Sequence, residues 1–581
     1  MSDENYIAVI DQDEVTDEVK QIAVNYDPVN RSGGEGFHVD DDGELHIDDE
    51  KVMEAHKIIE HKIQGDAIRI LPLASKAGQL IHEYGENGFS LHGVPLPNFD
   101  QTVGLIGENA IGKSTALQIV AGLLQPNFGG DEGYGFDRLV DEYKGSAGQS
   151  FFSSLADDEI TVGYKPQQVD QIPAEFTGTV KELLRGVDER DALNDVVDDL
   201  DLHPVTDRSV KDLSGGELQR VAIAATGLKD ADLYLFDEPT SYLDITQRIS
   251  VSRFIRSLTG SEKAVMVIEH DLIVLDYLTD LVHVMYGESN AYGVTSQVKA
   301  SKQGINEYLA GYLSDEHVKF RDEAISFDKR SETRYSEPAL VTSWESFSHE
   351  YDSFSLDVGG GSIYEKDVIG VLGENGIGKS TMMQALSGEI DTDATLDDVD
   401  ISYKPQHLED EDTLVRLYLD GFEQYRHSVI NPLSVEPLLD KALDELSGGQ
   451  LQRVKIAKCL LRDADVYLLD EPSAYLDVSQ RLQASKAIKS VMERRETAAV
   501  VIDHDLLFLD YIANRLLVFD GEPGIEGEAH GPMAMKEGMN MFLRDLGVTF
   551  RRDVENNRPR INKPGSQKDK EQKRNGEYYY T

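Results

Sequence analysis

GENAIGKST at residues 107–115 returns as GENGIGKST at 373–381. Each copy follows a short apolar run, TVGLIG (102–107) or DVIGVLG (367–373), that reads as a buried strand. G-x4-G-K-[ST] between a strand and a helix is a phosphate-binding loop. Its glycines let backbone N–H groups turn inward on an anion, and the helix N-terminus adds its positive end. Lys113 and Lys379 are placed to reach the β- and γ-phosphates, and Ser114 and Ser380 to ligate Mg²⁺. Gly107, Asn109, Gly112 and Thr115 complete the first loop; Gly373, Asn375, Gly378 and Thr381 complete the second.

The repetition extends outward in constant order. KPQ occurs at 165–167 and 404–406, and LSGGELQR (213–220) returns as LSGGQLQR (446–453). ADLYLFDEPTSYLD (231–244) returns as ADVYLLDEPSAYLD (464–477), and VIEHDL (267–272) as VIDHDL (501–506). One LSGG reads as an ordinary helix start with Ser214 or Ser447 as N-cap. Two in matched surroundings mean that the chain holds two copies of one α/β unit. Lys113 to Gln167 spans 54 residues, whereas Lys379 to Gln406 spans 27. The first copy therefore carries an insertion of about 27 residues, and 137–160, with Gly145 and Ser146 between two apolar-periodic stretches, reads as a helix–loop–helix.

LYLFDE and VYLLDE are buried strands ending in paired carboxylates. Asp237 and Asp470 are candidates to support Mg²⁺. Glu238 and Glu471 point to the other face of the strand end, where a carboxylate orients an attacking water. His270 and His504 each follow a β-branched strand and are candidate γ-phosphate contacts; Gln167 and Gln406 are candidates to sense Mg²⁺ and the water.

With 107 acidic against 56 basic residues the formal charge is −51, which repels nucleic acid at long range. A hydrophobic fraction of 40% is that of a globular protein, so the acid excess reads as a solvated surface suited to very high salt. The single cysteine, Cys459, excludes an intramolecular disulfide and reads as a small buried hydrophobe. No apolar run reaches the length of a membrane span and no signal-peptide pattern is present, so a soluble, cytoplasmic protein is expected.

Phosphate loop, KPQ glutamine, LSGG[EQ]LQR, DEP[ST]xYLD and strand-end histidine together resemble the ATP-binding-cassette (ABC) ATPases. The resemblance implies two tandem cassettes that close head-to-tail as an intramolecular pseudo-dimer within a monomer. Ser447, Gly448 and Gly449 would then complete the ATP site built on Lys113, and Ser214, Gly215 and Gly216 the one built on Lys379. Asp244 and Asp477 would cross-link the two sites at the seam. YGENGFSLHGVPLP (84–97), KPQQVDQIP (165–173), YGESNAYG (286–293), KFRDEAISF (319–327) and TFRRDVENNRPRINK (549–563) carry the likeness further, to the ribosome-recycling ATPases of ABC class E, the RNase L inhibitor family.

That likeness implies an α/β fold: a degenerate ferredoxin-like domain over 1–75, a first cassette over 76–318, a hinge segment at 319–330, a second cassette over 331–545, and a C-terminal hinge and basic tail at 546–581. It implies Mg²⁺-dependent ATP hydrolysis coupled to ribosomal work, with the small subunit and a release-factor-like protein as partners and no membrane. Tyr84 and Tyr351, at similar distances before Gly107 and Gly373, are candidate adenine-stacking residues, with core packing as the alternative. Relatives begin with two iron–sulfur clusters on eight cysteines. The N-terminal region here has no cysteine, so no such cluster is expected, and His56 and His61 read as solvated residues on a polar helix. Residues 551–577 carry nine basic against five acidic side chains, which fits a hinge packed on acidic neighbours or an RNA contact. The acid excess implies a halophilic archaeal source. Two alternatives stand beside this reading: a paralogue with a non-splitting, regulatory role in translation, and the energising subunit of a transporter.

Overall fold

The two apolar runs become the central strands of two sheets. The computed structural model describes residues 6–579 except 13, 41–42, 49–50, 64–66, 74–77, 131–134, 261, 328–337, 352–353, 391–395, 397–398 and 407–412. The expected boundaries at 75/76 and 330/331, and the end of the expected hinge, lie outside the described residues. Thr102–Ile106 and Val368–Leu372 are buried at every position. The first sheet runs Leu80–Tyr84, Phe89–His92, Tyr292–Thr295, Leu281–Glu288, Thr102–Ile106, Ala264–Ile268, Leu233–Asp237, Val162–Lys165. From Leu281–Glu288 onward neighbours are parallel, which suits strands covered on both faces. The second sheet repeats this order: Phe347–Tyr351, Phe354–Val358, Glu526–Ala534, Arg515–Glu522, Val368–Leu372, Ala498–Ile502, Val466–Asp470, Ile401–Lys404.

Both phosphate loops, both DE pairs and both histidines lie at the carboxyl ends of parallel strands, where open α/β sheets place their ligands. In the first copy, helices Asp137–Glu142 and Ala147–Ala156 fall within the 137–160 segment. Leu139, Phe151, Phe152 and Leu155 seal them onto the cassette core, and the Tyr143 hydroxyl donates to Val94 O at 3.2 Å.

The N-terminal residues form a small α+β unit. Tyr6–Ile10 pairs antiparallel with Ile68–Pro72, and His38–Val39 with Leu45–His46, under helix Asp17–Tyr26. Phe37, Leu45, Ile47, Ile59, Ile68 and Ile70 fill its interior. His56 departs from the solvated position expected of it. It is fully buried, with Nε2 3.0 Å from Asp27 Oδ1 and its ring edge-on to Phe37 at 5.8 Å. A tight turn at Glu54–His56 tucks the imidazole inward, because Asp27 is itself buried and its carboxylate, which already accepts the Val29 and Phe37 amides, needs a further partner. His61 is exposed. The unit docks on the first cassette through Asn87, whose side chain accepts from Ile47 N at 3.0 Å and donates to Ile47 O at 2.9 Å.

The last thirty or so residues join the two cassettes. Strands Phe550–Arg552 and Pro559–Ile561 pair antiparallel. From this hairpin Arg552 grips Asp510 of the second cassette with two hydrogen bonds, at 2.6 and 2.9 Å. Arg560 grips Asp276 of the first at 2.5 and 2.8 Å, and fully buried Arg558 reaches Asp276 Oδ2 and Leu272 O. Asp276 and Asp510 occupy the same place in the two copies, six residues beyond His270 and His504.

Candidate nucleotide sites

Each site starts with a loop that only glycine permits at its last position. Gly112 and Gly378 cap their helices in the left-handed region, φ 83° and 92°. A Cβ on Gly112 would stand 2.6 Å from the Phe89 ring, so the loop closes tightly on the sheet. Lys113 and Lys379 begin the helices and fold back over their own loops. Lys113 Nζ donates to Gly107 O (3.2 Å) and Glu108 O (2.5 Å), and Lys379 Nζ to Gly373 O (2.9 Å) and Glu374 O (2.5 Å). Burial pushes both ammonium groups down, Lys379 to about 8. A buried cation whose hydrogen bonds go to two carbonyls is suited to meet an anion.

Asp237 is buried with neither carboxylate oxygen hydrogen-bonded. Asp470 accepts from Ser380 Oγ at 2.8 Å on one oxygen and has nothing on the other. Burial pushes both carboxyls up. Buried orphan carboxylates beside a phosphate-loop serine are the donor set of a hard, oxygen-bound cation, so the residues present fit Mg²⁺ and the phosphates it accompanies. Thr115 Oγ1 lies 3.3 Å from the Tyr84 hydroxyl. Tyr84 and Tyr351 are about half exposed rather than packed in the core. Each stands edge-on to a histidine two residues earlier, at 4.8 and 4.6 Å.

Glu238 and Glu471 sit one residue past the strand ends with φ 46° and 47°, a strained conformation for glutamate. Their amides donate to Ile268 O and Ile502 O, which fixes the turn. Burial raises each carboxyl. The imidazole 3.4 Å away, the neighbouring lysine and the glutamine overcome that effect and hold both at about 2. Gln167 Nε2 donates to Glu238 Oε1 at 2.9 Å and Gln406 Nε2 to Glu471 Oε1 at 2.8 Å. The glutamines expected at the metal thus bond to the neighbouring glutamates in this structure, because an amide donor beside a carboxylate satisfies both. His270 has no hydrogen bond on either ring nitrogen, and burial pushes His504 down.

At the seam, Asp244 caps helix Ile245–Ser257 with Oδ1, and its Oδ2 accepts the Asn375 amide of the opposite phosphate loop at 2.9 Å. Asp477 caps Val478–Arg495 in the same way, and its charge raises the carboxyl of Glu108 in the first loop, after burial does so. Burial first, and then Tyr475 of the other half, push the Tyr242 phenol up to about 12. Ser214 and Ser447 cap their helices within reciprocal capping boxes. Both serines, with Gly215 and Gly448, are exposed, while Gly216 and Gly449 are half-buried. Among the described residues no hydrogen bond or ion pair joins these turns to the opposite phosphate loop.

Four supporting residues escape a reading confined to the familiar motif positions. Lys165 Nζ donates to Asp237 O (2.9 Å) and Lys404 Nζ to Asp470 O (2.8 Å); Gln219 and Gln452 donate to the carbonyls of Glu238 and Glu471 at 2.7 and 2.6 Å. They hold the DE turn from its backbone side. Their signal was the recurrence of KPQ and LQR in both copies.

Comparisons with known proteins agree with this geometry. The ABC transporter family model matches residues 98–241 and 360–474. An uncharacterised ABC transporter ATP-binding protein of Methanocaldococcus jannaschii is 44% identical over 99% of this chain and 97% of its own. The Saccharomyces cerevisiae translation initiation factor RLI1 is 38% identical over 89% of this chain and 88% of its own. Among solved structures, ABCE1 in a model of ribosome-bound archaeal Pelota and ABCE1 superposes with a TM-score of 0.92 at 45% identity, covering 100% of both chains. The archaeal ribosome recycling factor aABCE1, in complex with ribosomal stalk protein aP1, gives 0.83 at 48% identity over 87% of this chain and 99% of its own. With two complete phosphate loops, two glutamate–histidine pairs and this full-length likeness, the chain belongs to the ABC class E family, ABCE1/RLI1, of ATP-hydrolysing enzymes.

Proposed function

We propose that the protein binds Mg²⁺·ATP in two composite pockets and uses hydrolysis to close and open its halves on the ribosome. The observation that carries this reading is the Asp244–Asn375 hydrogen bond, which ties the turn of one half to the phosphate loop of the other. When bound, Mg²⁺·ATP supplies the phosphoanhydride bond and the cation that neutralises its oxygens. Lys113 and Lys379 turn from their own loop carbonyls to the phosphates. Ser114 with Asp237, and Ser380 with Asp470, would hold the metal, which would neutralise phosphate oxygens, and Gln167 and Gln406, now on the glutamates, would be the residues that sense it and the water. Glu238 and Glu471, ionised at neutral pH, orient the attacking water; His270 and His504 contact the γ-phosphate. Tyr84 and Tyr351 stack on adenine. The exposed Ser214 and Ser447 turns, with Gly215, Gly216, Gly448 and Gly449, close onto the opposite nucleotide. Closure is favoured only through contacts that the open form lacks, which these turns provide.

Similarity to an aABCE1 bound to a stalk protein, and to an ABCE1 placed with Pelota on a ribosome, supports the ribosome as the partner; within it we assign the small subunit and a release-factor-like protein as the surfaces met. A thiolate-held cluster does not fit the N-terminal unit: its interior is apolar side chains with the Asp27–His56 pair, and the chain's sole cysteine is Cys459. We take the unit to work without one. That feature favours a second reading, a paralogue that binds ribosomes without splitting them. Sedimentation with ribosomes in molar potassium salt separates the outcomes. Nucleotide-dependent association with small subunits supports the proposal, and association that leaves ribosomes intact selects the paralogue. Binding indifferent to a non-hydrolysable ATP analogue refutes both. Glu238→Gln or Glu471→Gln should retain ATP and lower turnover by about 10²-fold, read in a steady-state phosphate-release assay.

A further inference from the structure

The N-terminal hairpin holds a group of side chains that neither nucleotide site uses. Asp40, Glu44 and His46 each bring one ligand atom within 4.8 Å of the others. His46 is more than nine-tenths buried, its side chain 9% exposed. Its Nε2 stands 3.3 Å from Asp40 Oδ2 and 3.7 Å from Glu44 Oε2. Two donors bound to one ion at about 2.0–2.1 Å lie about 3.3 Å apart at a tetrahedral angle, so His46 and Asp40 already have ligand-to-ligand spacing.

The other face of the ring supplies the independent observation. Nδ1 is buried without a hydrogen bond, and the carboxylate facing it, 3.4 Å away, is Glu86 of the first cassette. A metal-bound histidine characteristically turns its second ring nitrogen to a carboxylate, which sets the tautomer and raises the basicity of the ligating nitrogen. Three carboxylates therefore converge on one imidazole, leaving excess negative charge even if the ring is protonated. A divalent cation on the Nε2 side offsets it. Asp40 and Glu44 are partly exposed, which leaves water access to complete the coordination.

We propose that Asp40, Glu44 and His46 hold a divalent transition-metal ion, Zn²⁺ by the mixed imidazole–carboxylate donor set, with Glu86 as the supporting carboxylate. The ion lies at the joint between the N-terminal unit and the first nucleotide site. Residue 87 next to Glu86 clasps the Ile47 backbone, and Tyr84, two residues before Glu86, touches Thr115.

The test uses the full chain, stripped with chelator and free of nucleotide, in molar potassium chloride. Zn²⁺ retained after gel filtration is measured by plasma mass spectrometry, and Co²⁺ binding by its visible d–d absorption. Stoichiometric retention is expected, with a nitrogen–oxygen Co²⁺ spectrum. Glu44→Gln and Asp40→Asn should abolish retention, and Glu86→Gln should weaken affinity by about 10–100-fold. These carboxylates are exposed or partly so, so the variants keep the fold, which circular dichroism checks. Metal retained equally by wild type and Glu44→Gln, or not retained by wild type, overturns the proposal.

Discussion

Glu238 and Glu471 show how much of a site one residue's backbone can decide. A strand that ends in a left-handed glutamate turns two successive carboxylates to different neighbours, the first toward the phosphate-loop serine and the second toward histidine and glutamine. Both carboxyls titrate near 2 in the fold against an ordinary value of 4.5. Their contribution to stability is therefore complete above pH 4.5 and is lost as pH falls toward 2. Denaturant melts of wild type and Glu238→Gln should lie apart above that range and draw together as it is crossed downward. A separation that is constant with pH would mean that the glutamate is not held by its imidazole. These residues were legible because the motif that contains them occurs twice. Lys165 and Gln219 were less so, since what they hold is backbone carbonyl, and a sequence shows side chains rather than the carbonyls they will meet.

Among elements, the C-terminal hairpin was half legible. Its basic excess called for acidic neighbours or RNA, and a sequence alone cannot choose between them, because the neighbours come from distant chain positions. The structure pairs Arg552, Arg558, Arg560 and Lys563 with Asp510, Asp276 and Asp280, so this half of the basic stretch is spent inside the molecule. Removing Asp276 leaves buried Arg558 without its counter-charge. Asp276→Ala should cost about 3–5 kcal/mol of stability, read as a lower calorimetric melting temperature. Asp510→Ala should do the same from the other side. The His56 turn was misread for a related reason: its polar flanks suggested a solvated helix, and the aspartate that draws it inward lies 29 residues earlier.

For the molecule as a whole, repetition made the two-cassette architecture readable and exposed the insertion in the first copy, but the different neighbours of the two phosphate loops did not show until both were folded. Glu108 of the first loop meets Arg321 of the hinge segment at 3.4 Å, while Glu374 of the second faces Thr246 of the opposite cassette. The first site is thus tied to the linker as well as to the seam, the second to the seam. A formal charge of −51 repels itself across the whole surface, so the melting temperature should rise steeply as potassium chloride increases toward molar concentrations, where the screening length falls to about 3 Å. A salt-insensitive melt would mean that these carboxylates do not strain the fold. The hairpin that rivets Asp276 to Asp510 also fixes an order of events at birth. Both cassettes leave the exit tunnel before the arginines that fasten them, and domains fold as they emerge. A transcript broken short of codon 550 would therefore yield two finished halves that lack the arginine clasp between Asp276 and Asp510.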